Sequence, residues 1–146
     1  MKIKCMKWIE SGKDTEDIKM PLVTNGNACF DFYAPEKHVI YPGEKHHFIG
    51  TGIAFEIPDG YHMKLFMRSS YGAKHTLRQS NCVGIIDSSY RKEVKEMFDN
   101  IGDQLEVIEK GERFAQGMIE KNIPIEFVEV SKIKDTARGG FGSTGK

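Results

Sequence analysis

Apolar and polar residues alternate with a period of two along most of this chain. In the run TGIAFEIP, Ile53, Phe55 and Ile57 share one face. In YHMKLFM, the residues on one face are Tyr61, Met63, Leu65 and Met67, with His62 and Lys64 opposite. Because successive side chains of a strand point to opposite faces, both runs predict half-buried β-strands. Other short runs that predict strands are MKIKCMKW, ACFDFYA, HVIY, KHHFIG, KEMFDN, QLEVIE and IEFVEV. Many strands at close spacing, separated by turn-forming residues, predict an all-β sandwich, jelly roll or barrel.

The stretch SSYGAKHTLRQS departs from this alternation and predicts a short helix. Ser70 is a residue type that caps helix N-termini, and Ala73 and Leu77 are four residues apart, so they would lie on one side of a helix. One helix is therefore expected within an otherwise β chain.

The composition of the chain changes near residue 131. From there the sequence SKIKDTARGGFGSTGK is rich in glycine, and its large apolar residues are Ile133 and Phe141. Such a segment buries too little apolar surface to hold itself in one conformation. A chain of 146 residues has the length of one domain. We therefore expect a single domain with a β core over residues 1–130 and a flexible C-terminal arm over residues 131–146.

Composition also limits the possible partners and the cellular compartment. Lys plus Arg and Asp plus Glu each count 21, so the net charge is zero and does not favour binding to nucleic acid or anionic membranes. The sequence has no apolar run long enough to cross a bilayer, and MKIKCMKWIE lacks the apolar core of a signal peptide. The three cysteines lack C-x-x-C spacing, which argues against a disulfide framework or a zinc cluster. We expect a cytoplasmic protein, or one of the host cytoplasm if it is viral, that binds neither nucleic acid nor membranes.

The stretch NCVGIIDSSYR is the first candidate for chemistry. Asp87 follows the apolar pair Ile85 and Ile86 and precedes Tyr90 by three positions. One interpretation is a hairpin in which Asp87 caps a turn. The other is a carboxylate at the edge of an apolar pocket, with Tyr90 as a flat packing surface and Asn81 as an amide that can bind a base edge. The local sequence leaves both interpretations open.

Three further polar positions interrupt predicted strands or lie at their ends. Arg68 is followed by Ser69 and Ser70 where a strand gives way to the predicted helix, an arrangement that suits an anion site or an ordinary capped helix with a solvated arginine. Asp31 in ACFDFYAPE and Gln116 in KGERFAQGMIE would alone be ordinary residues of strands.

The final residues, GFGSTGK, satisfy the first positions of the P-loop pattern. A P-loop needs a preceding strand, a following helix and a hydroxyl residue after the lysine, and this sequence does not supply them. A glycine- and serine-rich tail is one remaining interpretation. A phosphate-binding element is the other, because Arg138 can bind phosphate as a fork, Ser143 and Thr144 carry hydroxyls, and Phe141 provides an aromatic plate.

These five stretches, in this order and from about Ala28 to Gly145, resemble the five motifs of the trimeric deoxyuridine triphosphatases, or dUTP pyrophosphatases. The patterns RSS, NxxGxIDxxYR, GxRxAQ and GGFGSTG are specific when they occur together. The resemblance implies a β jelly roll with one short helix, assembled as a homotrimer whose active sites are each built from three subunits. It also implies hydrolysis of dUTP to dUMP and pyrophosphate, which keeps dUTP low and supplies dUMP for thymidylate synthesis.

The resemblance further implies a role for each site residue. The hairpin would admit uracil through Asn81, Gly84, Ile85 and Ile86, and Tyr90 would pack on the deoxyribose and exclude a 2′-hydroxyl. The phosphates would be bound by a set that shares cationic, hydroxyl or amide groups, namely Arg68, Ser69, Ser70, Gln116 and, at a matching position, Lys95. The C-terminal arm would close over the nucleotide with Arg138, Phe141, Gly142, Ser143 and Thr144.

The chemistry implied is attack of a water molecule on the α phosphorus. Asp87 would orient and deprotonate that water. Mg²⁺ would arrive with the triphosphate, and Asp31 would contact it only through water. Two alternatives are a dCTP deaminase of the same fold and a non-catalytic nucleotide-binding regulator that kept the fold.

Overall fold

The structure is a computed structural model, and it describes residues 1–8, 10 and 14–136. These residues form ten β-strands and one α-helix. In chain order they are β1 (Lys4–Lys7), β2 (Phe30–Tyr33), β3 (His38–Ile40), β4 (His47–Glu56), β5 (Tyr61–Met67), α1 (Ser69–Lys74), β6 (Leu77–Gln79), β7 (Gly84–Asp87), β8 (Glu93–Asn100), β9 (Glu106–Ile108) and β10 (Arg113–Lys121). Within the described ranges, no helix has the length and apolarity needed to span a lipid bilayer.

The strands form two four-stranded sheets and one two-stranded sheet. The first sheet has the order β1-β4-β8-β6, the second has the order β2-β10-β5-β7, and β3 pairs with β9. Every strand pair is antiparallel. Consecutive strands often lie in different sheets, as a jelly roll requires, and the predicted all-β jelly roll with one short helix is confirmed.

The core lies between the two larger sheets. Phe32 of the second sheet meets Phe55 of the first edge to face, with ring centroids 5.9 Å apart. Phe98 and Phe114 make a similar contact across the sheets at 6.3 Å. All four rings are buried. Of the β5 residues that the period-two pattern places on one face, Met63 and Leu65 are buried, and Tyr61 and Met67 are half-buried and pack against the core. The sequence pattern therefore identified the inward face of β5 correctly.

Two of the predicted strands are one continuous strand in the structure. KHHFIG and TGIAFEIP join in β4, whose register with β8 shifts between Gly50 and Ala54. At this irregularity Gly52 has φ of +71°, and a Cβ atom there would lie 2.6 Å from a side-chain carbon of Ile18. Only glycine meets both conditions, so β4 bends over Ile18 without being broken.

The predicted helix is shorter than the sequence indicated. It ends at Lys74, and Leu77, which was expected on a helical face with Ala73, lies fully buried in β6. The prediction that Ser70 caps the helix is wrong, because Arg68 is the N-cap residue and makes no side-chain capping hydrogen bond. Pairing of β6 with β8 buries Leu77, and this burial outweighs the helical preference of the local sequence.

The run IEFVEV, predicted as a strand, has no strand partner within the described chain. Regular pairing ends at Lys121, and the residues from 122 to 136 form neither helix nor strand. Ile123, Ile125 and Phe127 are 83%, 73% and 92% exposed. The period-two pattern is present in the sequence, but one copy of the chain does not bury its apolar face.

Candidate functional site

A polar cleft opens where β5 ends and α1 begins. Its volume is about 470 Å³, and polar surface predominates over apolar surface in its lining. The lining residues come from the segment before β2, from β2 itself, from the β5–α1 junction and from β10; they are Gly26, Asn27, Ala28, Cys29, Asp31, Arg68, Arg113 and Gln116. The cleft thus unites three positions that the sequence picked out separately: Asp31, Arg68 and Gln116.

Asp31 lies between two arginines in this cleft. Its Oδ1 is 2.9 Å from Nε of Arg68, and its Oδ2 is 3.1 Å from a terminal guanidinium nitrogen of Arg113. One carboxylate with two guanidinium groups leaves one positive charge, and both forks remain partly exposed. A polyanion is therefore attracted to the cleft and can bind the exposed donors of both arginines.

Gln116 is placed by the sheet itself. In β10 it pairs with Asp31 on one side and with Phe66 on the other. Its Nε2 donates a hydrogen bond of 3.3 Å to the carbonyl of Met67, the last residue of β5. The strand register therefore fixes Gln116 beside both Asp31 and the residue that precedes Arg68.

The first residues of α1 follow directly from this cleft. Ser69 and Ser70 open the helix, and the buried ring of Tyr71 anchors its first turn in the core. The hydroxyl of Tyr71 donates a 2.6 Å hydrogen bond to Oε1 of Glu112, next to Arg113. Burial raises the pKa of Tyr71, and the hydrogen bond to Glu112 raises it further, so the hydroxyl stays a donor. This bond ties Arg68 and the serines to the turn that carries Arg113.

Arg113 is a site residue that the sequence interpretation missed. The pattern GxRxAQ contains Arg113, but the sequence alone does not indicate a role for it. In an ideal strand, a residue three positions before Gln116 lies on the opposite face, so simple alternation does not place Arg113 beside Gln116. The structure resolves this, because the β10 register with β2 shifts between Arg113 and Ala115. The bulge turns Arg113 toward Asp31.

The second group of predicted residues lies on and around β7. Gly84, Ile85, Ile86 and Asp87 form the strand itself, which pairs with β5. Ile85 is 54% exposed and Tyr90 39% exposed, and the Tyr90 hydroxyl donates a 2.9 Å hydrogen bond to the Glu93 carbonyl. Asn81 and Asp87 are exposed as well. An open apolar strand bordered by an exposed amide and carboxylate is a surface that another molecule can cover.

In one chain, Asp87 is far from the polar cleft. Asp87 pairs with His62 at the start of β5, whereas Arg68 follows the end of that strand. Six residues of extended strand separate these two levels, which corresponds to about 20 Å. The structure therefore brings Asp31, Arg68 and Gln116 together but does not bring Asp87 to them.

The remaining predicted positions have different outcomes. Lys95 lies on β8 with its Nζ 3.5 Å from Oε2 of Glu93, the residue whose carbonyl accepts from Tyr90. It therefore lies near the residue that accepts from Tyr90, and it does not line the polar cleft. The predicted residues of the arm, Arg138, Phe141, Gly142, Ser143 and Thr144, lie outside the described residues.

Within the described ranges, no group of three or more His, Cys, Asp or Glu side chains could hold a metal ion. Both carboxylate oxygens of Asp31 are already engaged by arginines, since Oδ1 forms an ion pair with Arg68 and Oδ2 accepts a charged hydrogen bond from Arg113. This donor set does not form a direct cage for Mg²⁺, which prefers carboxylate, phosphate and water oxygens. It fits a magnesium ion whose oxygens come mainly from a bound polyphosphate, with Asp31 outside the first layer of ligands.

A buried carboxylate lies on β8, hydrogen-bonded to Gln79. Glu96 of β8 is 1% exposed, and burial raises its pKa from 4.5 to about 7, while hydrogen bonds from the Met97 N–H and the Gln79 amide act in the opposite direction. Because the pKa is higher in the folded than in the unfolded chain, the folded protein binds more protons between these two values. This group therefore lowers stability progressively as the pH rises from about 5 to 8.

The substitution Glu96→Gln is expected to remove this pH dependence. The free energy of unfolding of the variant, relative to wild type, should increase by roughly 2–3 kcal/mol between pH 5 and pH 8. Urea unfolding at a fixed chain concentration measures it at both pH values. Glu56→Gln is the matched control, since Glu56 is an exposed carboxylate paired with Lys4. A constant difference between Glu96→Gln and wild type at both pH values would contradict the assignment.

Comparison with known proteins gives one consistent family. The dUTPase family model matches residues 16–145. A deoxyuridine 5'-triphosphate nucleotidohydrolase of Nautilia profundicola is 43% identical over 125 residues, which cover 84% of this chain and 87% of that protein. A solved dUTPase of Staphylococcus bacteriophage 80alpha with dUPNHPP superposes with a TM-score of 0.84 at 24% identity, covering 99% of this chain and 98% of that one.

A second solved structure shows the same fold with a metal. It is a mutant dUTPase from phage phi11 of S. aureus, described with a structural Mg(II) ion, and it superposes with a TM-score of 0.81 at 21% identity over 92% of this chain and all of that one. The family model spans most of the chain, and the Nautilia relative is matched over most of its own length. By sequence and by fold, this chain belongs to the dUTPase family.

Proposed function

We propose that this chain hydrolyses dUTP to dUMP and pyrophosphate, and so keeps dUTP low while supplying dUMP for thymidylate synthesis. The observation that carries the proposal is membership of the dUTPase family over residues 16–145. The cleft of Asp31, Arg68, Arg113 and Gln116 supports it, because its net positive charge and paired guanidinium forks suit a triphosphate.

The exposed strand β7 is proposed to select the base and the sugar. Uracil would lie against Asn81, Gly84, Ile85 and Ile86, where strand backbone groups and one amide can match its polar edge. The Tyr90 ring would pack on the deoxyribose and leave no room for a 2′-hydroxyl. The hydrogen bond from the Tyr90 hydroxyl to the Glu93 carbonyl supports this role, because it holds the ring in place.

The phosphates are proposed to bind at the cleft. Arg68 and Arg113 would neutralise charge, Ser69 and Ser70 would donate hydroxyl and first-turn N–H groups, and Gln116 would donate from its amide. Lys95, beside Glu93, would act on the nucleotide from the β7 side. In the free site, the ion pairs with Asp31 hold both guanidinium forks near the positions where they would bind phosphate. A bound triphosphate would compete with Asp31 for these arginines.

Asp87 is proposed to hold and deprotonate the attacking water. Its carboxylate is exposed at the end of β7, where it can accept a proton without losing a structural contact in the core. Asp31 would contact Mg²⁺ only through water, and the ion, arriving with the triphosphate, would supply charge neutralisation for the leaving pyrophosphate. The protein's own contribution is to bind the phosphates, exclude solvent and take the proton at Asp87.

The site is proposed to be complete only in a homotrimer. The distance of about 20 Å between Asp87 and Arg68 in one chain supports this, because no single copy can place both at one phosphorus. The exposed apolar alternation of Ile123, Ile125 and Phe127 also supports assembly, since it is strand-like surface that a second copy can bury.

The C-terminal arm is proposed to close over the bound nucleotide, extending beyond a core that ends near residue 130. Phe141 would cover the base, Arg138 would reach the terminal phosphate, and Gly142, Ser143 and Thr144 would donate to phosphate oxygens. A cytoplasmic location is proposed with it, and the free thiols of Cys5, Cys29 and Cys82 are compatible with a reducing compartment.

Product analysis tests the proposed reaction. The protein with Mg²⁺ is expected to convert dUTP to equal amounts of dUMP and pyrophosphate, and to leave UTP and dCTP nearly unchanged. The products can be separated by ion-exchange chromatography, and ammonia can be measured in parallel. Release of ammonia from dCTP would favour the deaminase alternative, and binding of dUTP without turnover would favour a regulator.

A further inference from the structure

The side chain of Gln79 extends strand pairing past the end of β7. β7 pairs with β5 as far as Leu65, which faces Gly84. Beyond that point Oε1 of Gln79 accepts a 3.1 Å hydrogen bond from the Met67 N–H, and its Nε2 donates a 2.9 Å hydrogen bond to the Leu65 carbonyl. These are the two bonds that a neighbouring peptide group would make. The amide of Gln79 thus takes the place of a strand residue at the end of β5.

Glu96 fixes the orientation of this amide. Nε2 of Gln79 also donates a 3.0 Å hydrogen bond to Oε2 of Glu96, and Oε1 of Glu96 accepts a 2.9 Å hydrogen bond from the Met97 N–H. Met67 offers a donor, whereas Leu65 and Glu96 offer acceptors, so only one orientation of the amide satisfies all three partners. Glu96 itself is almost completely buried.

The location of this cluster connects it to the site. Met67 immediately precedes Arg68, and the carbonyl of Met67 accepts from Gln116 on the opposite edge of β5. The last residue of β5 is therefore held by one glutamine on each side. A Cβ atom on Gly84 would lie 3.0 Å from Cβ of Leu65 and 3.8 Å from Nε2 of Gln79, so β7 also packs directly on the cluster.

A buried Glu96 paired with a half-buried Gln79 is a costly way to fill this space. Burial of the carboxylate raises its pKa, whereas two apolar side chains would fill the same volume without a charge to desolvate. Buried polar clusters of this kind fix one geometry more strictly than apolar packing does. Here the geometry that is fixed is that of Met67, the residue that immediately precedes Arg68.

We propose that Gln79, oriented by Glu96, is a positioning residue that fixes the backbone of Met67 and thereby the direction in which Arg68 enters the phosphate cleft. This inference rests on the proposed hydrolysis of dUTP. Neither Gln79 nor Glu96 needs to touch the nucleotide, and both act through the end of β5.

Two variants test the proposal in the full-length protein. Gln79→Met removes both bonds to β5 at similar volume. Glu96→Gln leaves β5 untouched but places an amide donor against either the Gln79 amide or the Met97 N–H. Each variant is expected to raise KM for dUTP between about twofold and tenfold, a change comparable in free energy to one hydrogen bond, with a smaller change in kcat. Glu56→Gln is the control and should leave both constants unchanged.

Amide hydrogen exchange without nucleotide supplies a readout that is independent of activity. Exchange of the Met67 N–H is expected to accelerate between about twofold and tenfold in Gln79→Met and Glu96→Gln, and not in Glu56→Gln. An unchanged KM in both variants, or unchanged exchange at Met67, would overturn the proposal. If wild type does not turn over dUTP, the proposed function fails independently of this proposal. The positioning role is then tested by comparing the affinity for inorganic pyrophosphate and the exchange of the Met67 N–H between wild type and the two variants.

Discussion

Asp87→Asn is expected to lower kcat for dUTP hydrolysis by roughly a thousandfold while changing the affinity for dUTP by only a few fold. Asparagine keeps the size of the side chain and can still hydrogen-bond a water molecule, but its amide cannot accept the proton that the water loses. The loss should therefore fall on the chemical step. Because Asp87 is exposed at the end of β7, the fold should be unaffected.

Single-turnover kinetics and equilibrium binding of dUTP separate these two effects. Asp59→Asn is the control, because Asp59 is also an exposed aspartate, located in the turn between β4 and β5, and no role is proposed for it. Its kcat should equal that of wild type. An Asp87→Asn variant that turns over dUTP within tenfold of wild type would exclude Asp87 as the general base.

Much of the fold could be predicted because the period-two signal is local. In β5 each inward residue alternates with an outward one, and the core between the sheets buries the inward face, so pattern and structure agree at Met63 and Leu65. The sequence predicts too long a helix because the position of Leu77 fits both a helical spacing and a strand. Pairing of β6 with β8, which involves residues 19 to 23 positions away, decides between them.

The candidate site could be predicted only where a motif carried it. The family motifs led to Asp31, Arg68 and Gln116, which lie in one cleft of the chain. Arg113 was missed because a bulge in β10 reverses the direction that simple alternation assigns to it. Gln79 has no motif of its own, since its role depends on where β7 stops pairing with β5, and short-range sequence does not specify that point.

The separation of Asp87 from the cleft could not be predicted from the motifs either. Motif order along the sequence does not say which copies of the chain share a site. The register of β7 on β5 shows that the two groups are separated in one chain, because it places Asp87 beside His62 at the start of the strand and Arg68 beyond its end. The proposed trimer would therefore combine the cleft of one subunit with the β7 strand of another in each site.

Two variants that are inactive alone are therefore expected to restore activity when they assemble together. Arg68→Ala damages the cleft, and Asp87→Asn damages the β7 side. In a trimer assembled at random from equal amounts, a site is intact when its cleft comes from the Asp87→Asn chain and its β7 strand from the Arg68→Ala chain. Each choice has a chance of one half, so roughly a quarter of the sites should be intact, and activity should reach roughly a quarter of the wild-type value.

The measurement is dUTP turnover after the two variants are unfolded in urea, mixed and refolded together, compared with each variant refolded alone. The matched control is a mixture of Arg68→Ala with Gln116→Ala. Both residues belong to the same cleft, so every cleft in that mixture carries one lesion and no recovery to wild-type sites can occur. Recovery in the first mixture but not in the second would show that the cleft and Asp87 are supplied by different subunits. If neither mixture exceeds its separate components, while co-assembly is demonstrated by mass measurement, each chain must build its own site, and β7 would have to leave β5 to reach the cleft.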